Sequence, residues 1–211
     1  MAKQLRTALF LLISLLTFSS HGGVYEEVLF AANEKNTATV ISLLQRGLDV
    51  NTADRDGSTL LLIAARTGNL ELTSFLLANR ASLHRANRFG DTPVLAAAAL
   101  GNAVLVEQLL AAGAELNPQG WTPLHYASYG NHKALVSLLI HKGAEIELRA
   151  PNGYTAAMLA GISGGTEALK ELLMAGADRS AKSAEGFTGA DIARKRGFEG
   201  AALLFEHGVG R

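Results

Sequence analysis

The chain has 211 residues, 48% of them hydrophobic, 18% charged and 6% aromatic, which is enough apolar material for one sizeable folded unit or an array of small ones. Lysine plus arginine and aspartate plus glutamate both come to 19, so no overall field draws the chain to nucleic acid or an anionic membrane. The absence of cysteine excludes disulfide frameworks, thiolate zinc sites, iron–sulfur clusters, cysteine nucleophiles and a lipidated cysteine.

At the amino terminus Lys3 and Arg6 carry charge, Thr7 to Phe18 contain no ionisable group, and Ser19 to Gly23 turn small and polar. This is the layout of a secretory signal peptide. The apolar run is about a dozen residues, against the roughly 20 that a helix needs to cross a bilayer, so cleavage is expected rather than a permanent anchor. Small side chains put the cut after Ser19 or after Gly22; the second gives a signal peptide of residues 1–22. Loss of Lys3 and Arg6 lowers the basic count from 19 to 17 against 19 acidic residues, leaving a mildly acidic mature chain.

Beyond this segment the block Gly-x-Thr recurs, at Gly57-Ser58-Thr59, Gly90-Asp91-Thr92, Gly120-Trp121-Thr122, Gly153-Tyr154-Thr155 and Gly186-Phe187-Thr188, with intervals of 33, 30, 33 and 33 residues. After each threonine come an apolar stretch, a glycine or asparagine, and a second apolar stretch, with leucine pairs such as Leu76-Leu77 and Leu109-Leu110. Threonine ahead of each first helix caps its free amides, and Pro93 and Pro123 occupy first helical positions where an amide has no partner. Glycine, or Asn131 in the third copy, permits the left-handed turn by which the chain doubles back. The expected unit is two short antiparallel helices with a projecting turn. Such units bury their apolar faces only by stacking, and the end units need a more polar outer side. Glu26, Glu27, Asn33, Glu34 and Lys35 fit the first cap, and Arg194, Lys195, Arg196 and Glu199 fit the last as a solvated face.

These residues resemble the ankyrin repeat family, whose signature contains Thr-Pro-Leu-His followed by alanines. Thr122-Pro123-Leu124-His125-Tyr126-Ala127 is the nearest copy, and Gly68-Asn69-Leu70-Glu71, Gly113-Ala114-Glu115 and Gly143-Ala144-Glu145 match the helix ends. Leu60 and Leu62, Leu95, and Ala156 and Met158 replace proline or histidine of the signature with apolar residues. The resemblance implies an all-α solenoid, an ankyrin repeat array of helix-turn-helix units with projecting β-turn fingers. Its divisions would be an N-terminal capping repeat at 23–56, repeats at 57–89, 90–119, 120–152 and 153–185, and a C-terminal capping repeat at 186–211.

The resemblance further implies that fingers and first helices line a concave face that holds a partner protein. Mapped onto this chain, the contact positions are Arg55, Asp56, Ser58 and Arg66, then Arg88, Phe89, Asp91 and Leu100, then Trp121 and Tyr129, then Asn152, Tyr154 and Ile162, and finally Phe187. Five of them are aromatic in a chain with one Trp, four Tyr and eight Phe, which makes an apolar anchor patch bordered by arginines. The turn from Asn117 to Gly120 is three residues shorter than its counterpart from Glu147 to Gly153. The notch it leaves beside Trp121 is the expected contact centre.

No catalytic, cofactor or metal site is expected. Ser128 follows His125 by three residues, but no nucleophile elbow surrounds it, and the resemblance gives His125 the role of hydrogen-bonding the turn. The six histidines form no helical ligand pair, and Gly161 to Gly165 lacks the lysine of a phosphate loop and reads as a loosened helix end. The expectation is a monomeric, non-catalytic protein-binding scaffold, exported to the periplasm or secreted, with no nucleic-acid partner and no stable membrane insertion. Relatives with this arrangement imply support of a periplasmic peroxide-defence enzyme; the alternatives are an immunity protein that neutralises a toxin, or a secreted effector that recruits a host protein.

Overall fold

The structure, a computed structural model, describes residues 22–209. The expected signal peptide therefore lies outside the described residues, apart from Gly22. Twelve helices follow one another in six pairs among the described residues: α1 (Gly22–Asn33) with α2 (Thr37–Gln45), α3 (Leu60–Thr67) with α4 (Leu70–Ala78), α5 (Pro93–Ala99) with α6 (Ala103–Ala111), α7 (Pro123–Tyr129) with α8 (Lys133–His141), α9 (Ala156–Ser163) with α10 (Thr166–Met174), and α11 (Gly189–Lys195) with α12 (Glu199–His207). No strand occurs among the described residues; isolated bridges join Ala53 to Thr59 and Lys182 to Thr188. The architecture is an all-α solenoid in which each first helix packs on the next first helix.

Local chemistry sets the helix starts. The side-chain oxygens of Thr59, Thr122, Thr155 and Thr188 accept from the amides of Leu62, His125, Met158 and Asp191, each satisfying one of the free donors of the first turn. Thr92 makes no such bond, and its helix instead begins on Pro93. The first three second helices are capped by asparagine, since Asn36, Asn69 and Asn102 accept from Thr39, Leu72 and Leu105.

Stacking buries the inner first helices between two neighbours, whereas the end helices α1 and α11 keep exposed polar residues such as Glu26, Glu27, Asp191 and Arg194. In α3 every residue from Leu60 to Ala65 is buried, including Leu62 at the signature histidine position. Each fully buried leucine contributes about 1.5–3 kcal/mol, at positions where the third repeat buries Pro123 and His125 instead. One continuous core runs from Val28 in α1 to Phe205 in α12.

Between the helices of a pair, the residue that turns the chain is matched to the residue above it in the next pair. A Cβ built on Gly101 would fall 2.4 Å from the His132 ring, and one on Gly164 would fall 2.6 Å from Phe198. Where the lower residue is instead Asn131, at φ 55, the residue above it is Gly165. Asn131 also caps across the repeat boundary, because its Oδ1 accepts from the Ala168 amide at 2.9 Å, the donor that Gly165 has no side chain to satisfy. Gly101→Ala is expected to lower the unfolding free energy by roughly 2–3 kcal/mol, about 1–2 for left-handed backbone and about 1 for the displaced bond from His132 Nε2 to the Ala99 carbonyl. Gly197→Ala, at the same register with open space around it, loses only the first part. Urea unfolding of the two variants checks this, and equal losses would show that the His132 contact contributes nothing.

Candidate partner-binding surface

Four fingers share one hairpin. Backbone bonds run from Asp54 to Ser58, Asn87 to Asp91, Ala150 to Tyr154 and Ser183 to Phe187, and each is closed by a glycine amide: Gly57, Gly90, Gly153 or Gly186. These glycines stand at φ between 79 and 85, which is why the block repeats glycine two residues before threonine. The finger from Asn117 to Gly120 makes neither bond, as expected of a turn shorter by three residues. Its base is still tied down, because Asn117 accepts from the Glu145 amide just as Asn51 does from Ser82 and Glu147 from Asp178.

The truncated finger changes the role of Trp121. The ring lies half-buried, edge-on to His125 at 5.9 Å and tilted against Tyr126 at 5.5 Å, so part of it packs on its own repeat. Ser58 is a correction to the expected surface: it is 1% exposed, its amide donates to Asp54 Oδ1 at 2.8 Å, and its hydroxyl faces Asn87. It builds the finger and cannot meet a partner.

The other expected positions reach solvent to differing degrees. Phe89 and Tyr129 are 66% and 56% exposed, and Leu100 and Phe187 are exposed as well. Arg88 lies over the Phe89 ring at 4.8 Å and pairs with Asp56 at 3.1 Å, while its amide donates to the Asp56 carbonyl, so two fingers are joined there. Arg55 is exposed in an acidic hollow with Glu26, Asp54 and Asp56, and Arg66 reaches back to Asn33 at 3.3 Å. Asp91 is half-buried and accepts from Asn87; together with burial, its carboxylate pushes the Tyr126 phenol up. Asn152 is exposed at a turn where it accepts from the Tyr154 amide, whereas Tyr154 and Ile162 are half-buried beside Met158, Ala181 and Ile192.

His125 and Ser128 do not form a catalytic pair. The His125 Nδ1 accepts from the Thr122 amide at 3.0 Å, which places the proton on Nε2, donating to the Leu148 carbonyl of the next finger base at 3.0 Å. Both nitrogens are thus occupied, and the Ser128 hydroxyl is buried without a partner. Among the described residues no group of three His, Asp or Glu is placed to hold a metal; His21 lies outside them.

Burial pushes the His125 imidazole below its ordinary value. The unfolded chain therefore takes up this proton first, so stability is complete above about pH 6.5 and falls as pH drops below it toward the folded value. Urea midpoints between pH 7.5 and 5 are expected to decline in the wild type and to show a shallower slope in His125→Leu, the residue the second repeat carries as Leu95. An unchanged slope would contradict this.

Lys195 is not among the expected positions, although it continues a series that includes three of them. The residue seven after each cap threonine repeats as Arg66, Ala99, Tyr129, Ile162 and Lys195, and the last of these borders a groove of about 530 Å³ with Tyr154, Phe187, Ile192 and Arg196. The register alone marks Lys195, but reading Arg194 to Arg196 as a solvated cap face hides it. Gly161 is a further correction: it is buried inside α9, and a Cβ there would fall 2.8 Å from the Phe205 ring, so it accommodates packing rather than loosening a helix end.

Stacked helix pairs with projecting hairpin turns and an open row of side chains define a repeat protein of the binding kind. Residues 28–117 and 78–150 match the family described as ankyrin repeats, in three copies; the chain belongs to the ankyrin repeat family. It is similar to ankyrin repeat and SAM domain-containing protein 6 of Rattus norvegicus, 34% identical over 111 residues, covering 51% of this chain and 9% of that protein. It is also similar to the potassium channel AKT1 of Arabidopsis thaliana, 44% identical over 178 residues, 83% of this chain and 21% of the channel. The chain thus spans between 9% and 21% of the length of these two relatives.

Proposed function

We propose that this chain is an exported, non-catalytic scaffold that holds a partner protein along the face formed by its fingers and first-helix ends. The observation that carries the reading is the row of exposed apolar side chains Phe89, Leu100, Tyr129 and Phe187, flanked by Arg55, Arg66 and Arg88. Aromatic residues and arginine supply most of the binding energy at protein interfaces. Export is supported by the charged, apolar and small-residue segment from Lys3 to Gly23, and a cysteine-free chain suits an oxidising or peroxide-exposed compartment. No helix among the described residues is long and apolar enough to cross a membrane.

Affinity capture from the periplasmic or extracellular fraction, with mass spectrometry of what is retained, tests the reading together with amino-terminal sequencing of the exported protein. One dominant protein partner and a start at Ser20 or Gly23 are the expected results. A peroxide-defence enzyme, a toxin or a host protein in that fraction assigns the role. A start at Met1 or Ala2 overturns export, and no retained protein overturns the scaffold.

A further inference from the structure

We infer that the groove at the carboxyl-terminal end is a subsite for an acidic segment of the partner, one in which carboxylates flank an apolar side chain. The inference rests on the partner-binding reading above and narrows it to a place and a chemistry. The groove is lined by Tyr154 and Phe187 from the fingers of the last two repeats and by Ile192, which packs with Met158 and Ala181. Its volume of about 530 Å³ lies within the roughly 300–1,000 Å³ of sites that hold a ligand.

The charges around it are of two kinds. Asp191 caps α11, accepting from the Thr188 hydroxyl at 2.6 Å and its amide at 2.9 Å, which holds its carboxyl below the ordinary range and keeps its charge. Arg194 is held by Glu206 at 2.8 Å and Glu199 at 3.5 Å. Lys195 and Arg196 have no carboxylate within ion-pair distance among the described residues, and Lys195 lies 5.5 Å from the centre of the Phe187 ring. Glu185 and the ionised Asp191 oppose them, two carboxylates against the three cations Arg194, Lys195 and Arg196 of the lining. Cations at the end of a helix are favourable in themselves, which accounts for the charge of α11 but not for the groove that Tyr154 and Phe187 line beside it. An apolar side chain between Tyr154 and Phe187, with acidic neighbours reaching Lys195 and Arg196, satisfies both.

Selection of a random-peptide display library on the purified protein tests this without knowledge of the partner. Enrichment of Asp and Glu beside an apolar residue is expected. A representative selected peptide should lose about tenfold or more in affinity to the double variant Lys195→Glu, Arg196→Glu, and should bind more weakly as salt rises. Circular dichroism of the variant shows that the fold is retained. Basic or uncharged selected peptides, binding unchanged in the variant, or no enrichment would overturn the inference; so would a preference for phosphatidylglycerol vesicles over the peptides, in favour of a membrane surface. A Phe89→Ala, Tyr129→Ala variant separates the two readings. Peptides lost there but kept by the cap variant leave the scaffold standing and remove the groove, whereas peptides kept by both variants move binding to another face and remove both.

Discussion

Phe205→Ala is expected to destabilise the array by about 3–5 kcal/mol, the range for a buried aromatic. Phe205 is 4% exposed on α12, and its ring rests against bare backbone: a Cβ built on Gly189 would lie 2.4 Å from it and one on Gly161 2.8 Å. Truncation leaves a void that neither glycine can fill, and collapse would have to move α9 and α11 bodily. Gly161, inside α9, costs that helix roughly 0.5–1 kcal/mol relative to alanine, which the seated ring offsets. Urea unfolding checks the magnitude, and hydrogen exchange should show α11 and α12 opening first because neighbours alone hold each pair. Leu203→Ala, on the exposed side of the same helix, serves as the control. A loss below about 1 kcal/mol for Phe205→Ala would contradict the packing account.

The second large effect concerns the surface. Phe89→Ala with Tyr129→Ala is expected to weaken partner capture by roughly 4 kcal/mol, about 2 for each hot-spot aromatic, while leaving stability nearly unchanged because both side chains are largely in water. Trp121→Ala should behave oppositely. Its ring packs on His125 and Tyr126, so its loss lowers stability first, and binding per folded molecule changes less. Titration calorimetry with the captured partner, beside urea unfolding of each variant, separates the two. Retained affinity in the double variant would move the contact away from this row.

The array itself is legible in the sequence because each of its determinants is local. Thr59, Thr122, Thr155 and Thr188 cap within three residues, and Gly57, Gly90, Gly153 and Gly186 close hairpins within three. The details that escape a sequence reading join separate repeats. Nothing near Gly161 announces the Phe205 ring 44 residues away. Asn131 reads as a left-handed turn residue, which it is, but its cap on Ala168 requires knowing that Gly165 lies above it. The burial of Ser58 and the inward packing of Trp121 depend likewise on which neighbouring turn occupies the adjoining space, Asn87 in one case and a missing hairpin in the other.

Hydrogen exchange of the protein with and without its captured partner tests the central claim most directly. The account predicts that protection concentrates in the fingers at 54–58, 87–91, 150–154 and 183–187 and at the carboxyl ends of α3, α5 and α7. Protection confined to the second helices α4, α6, α8 and α10 would contradict it, since those helices carry none of the proposed contact row.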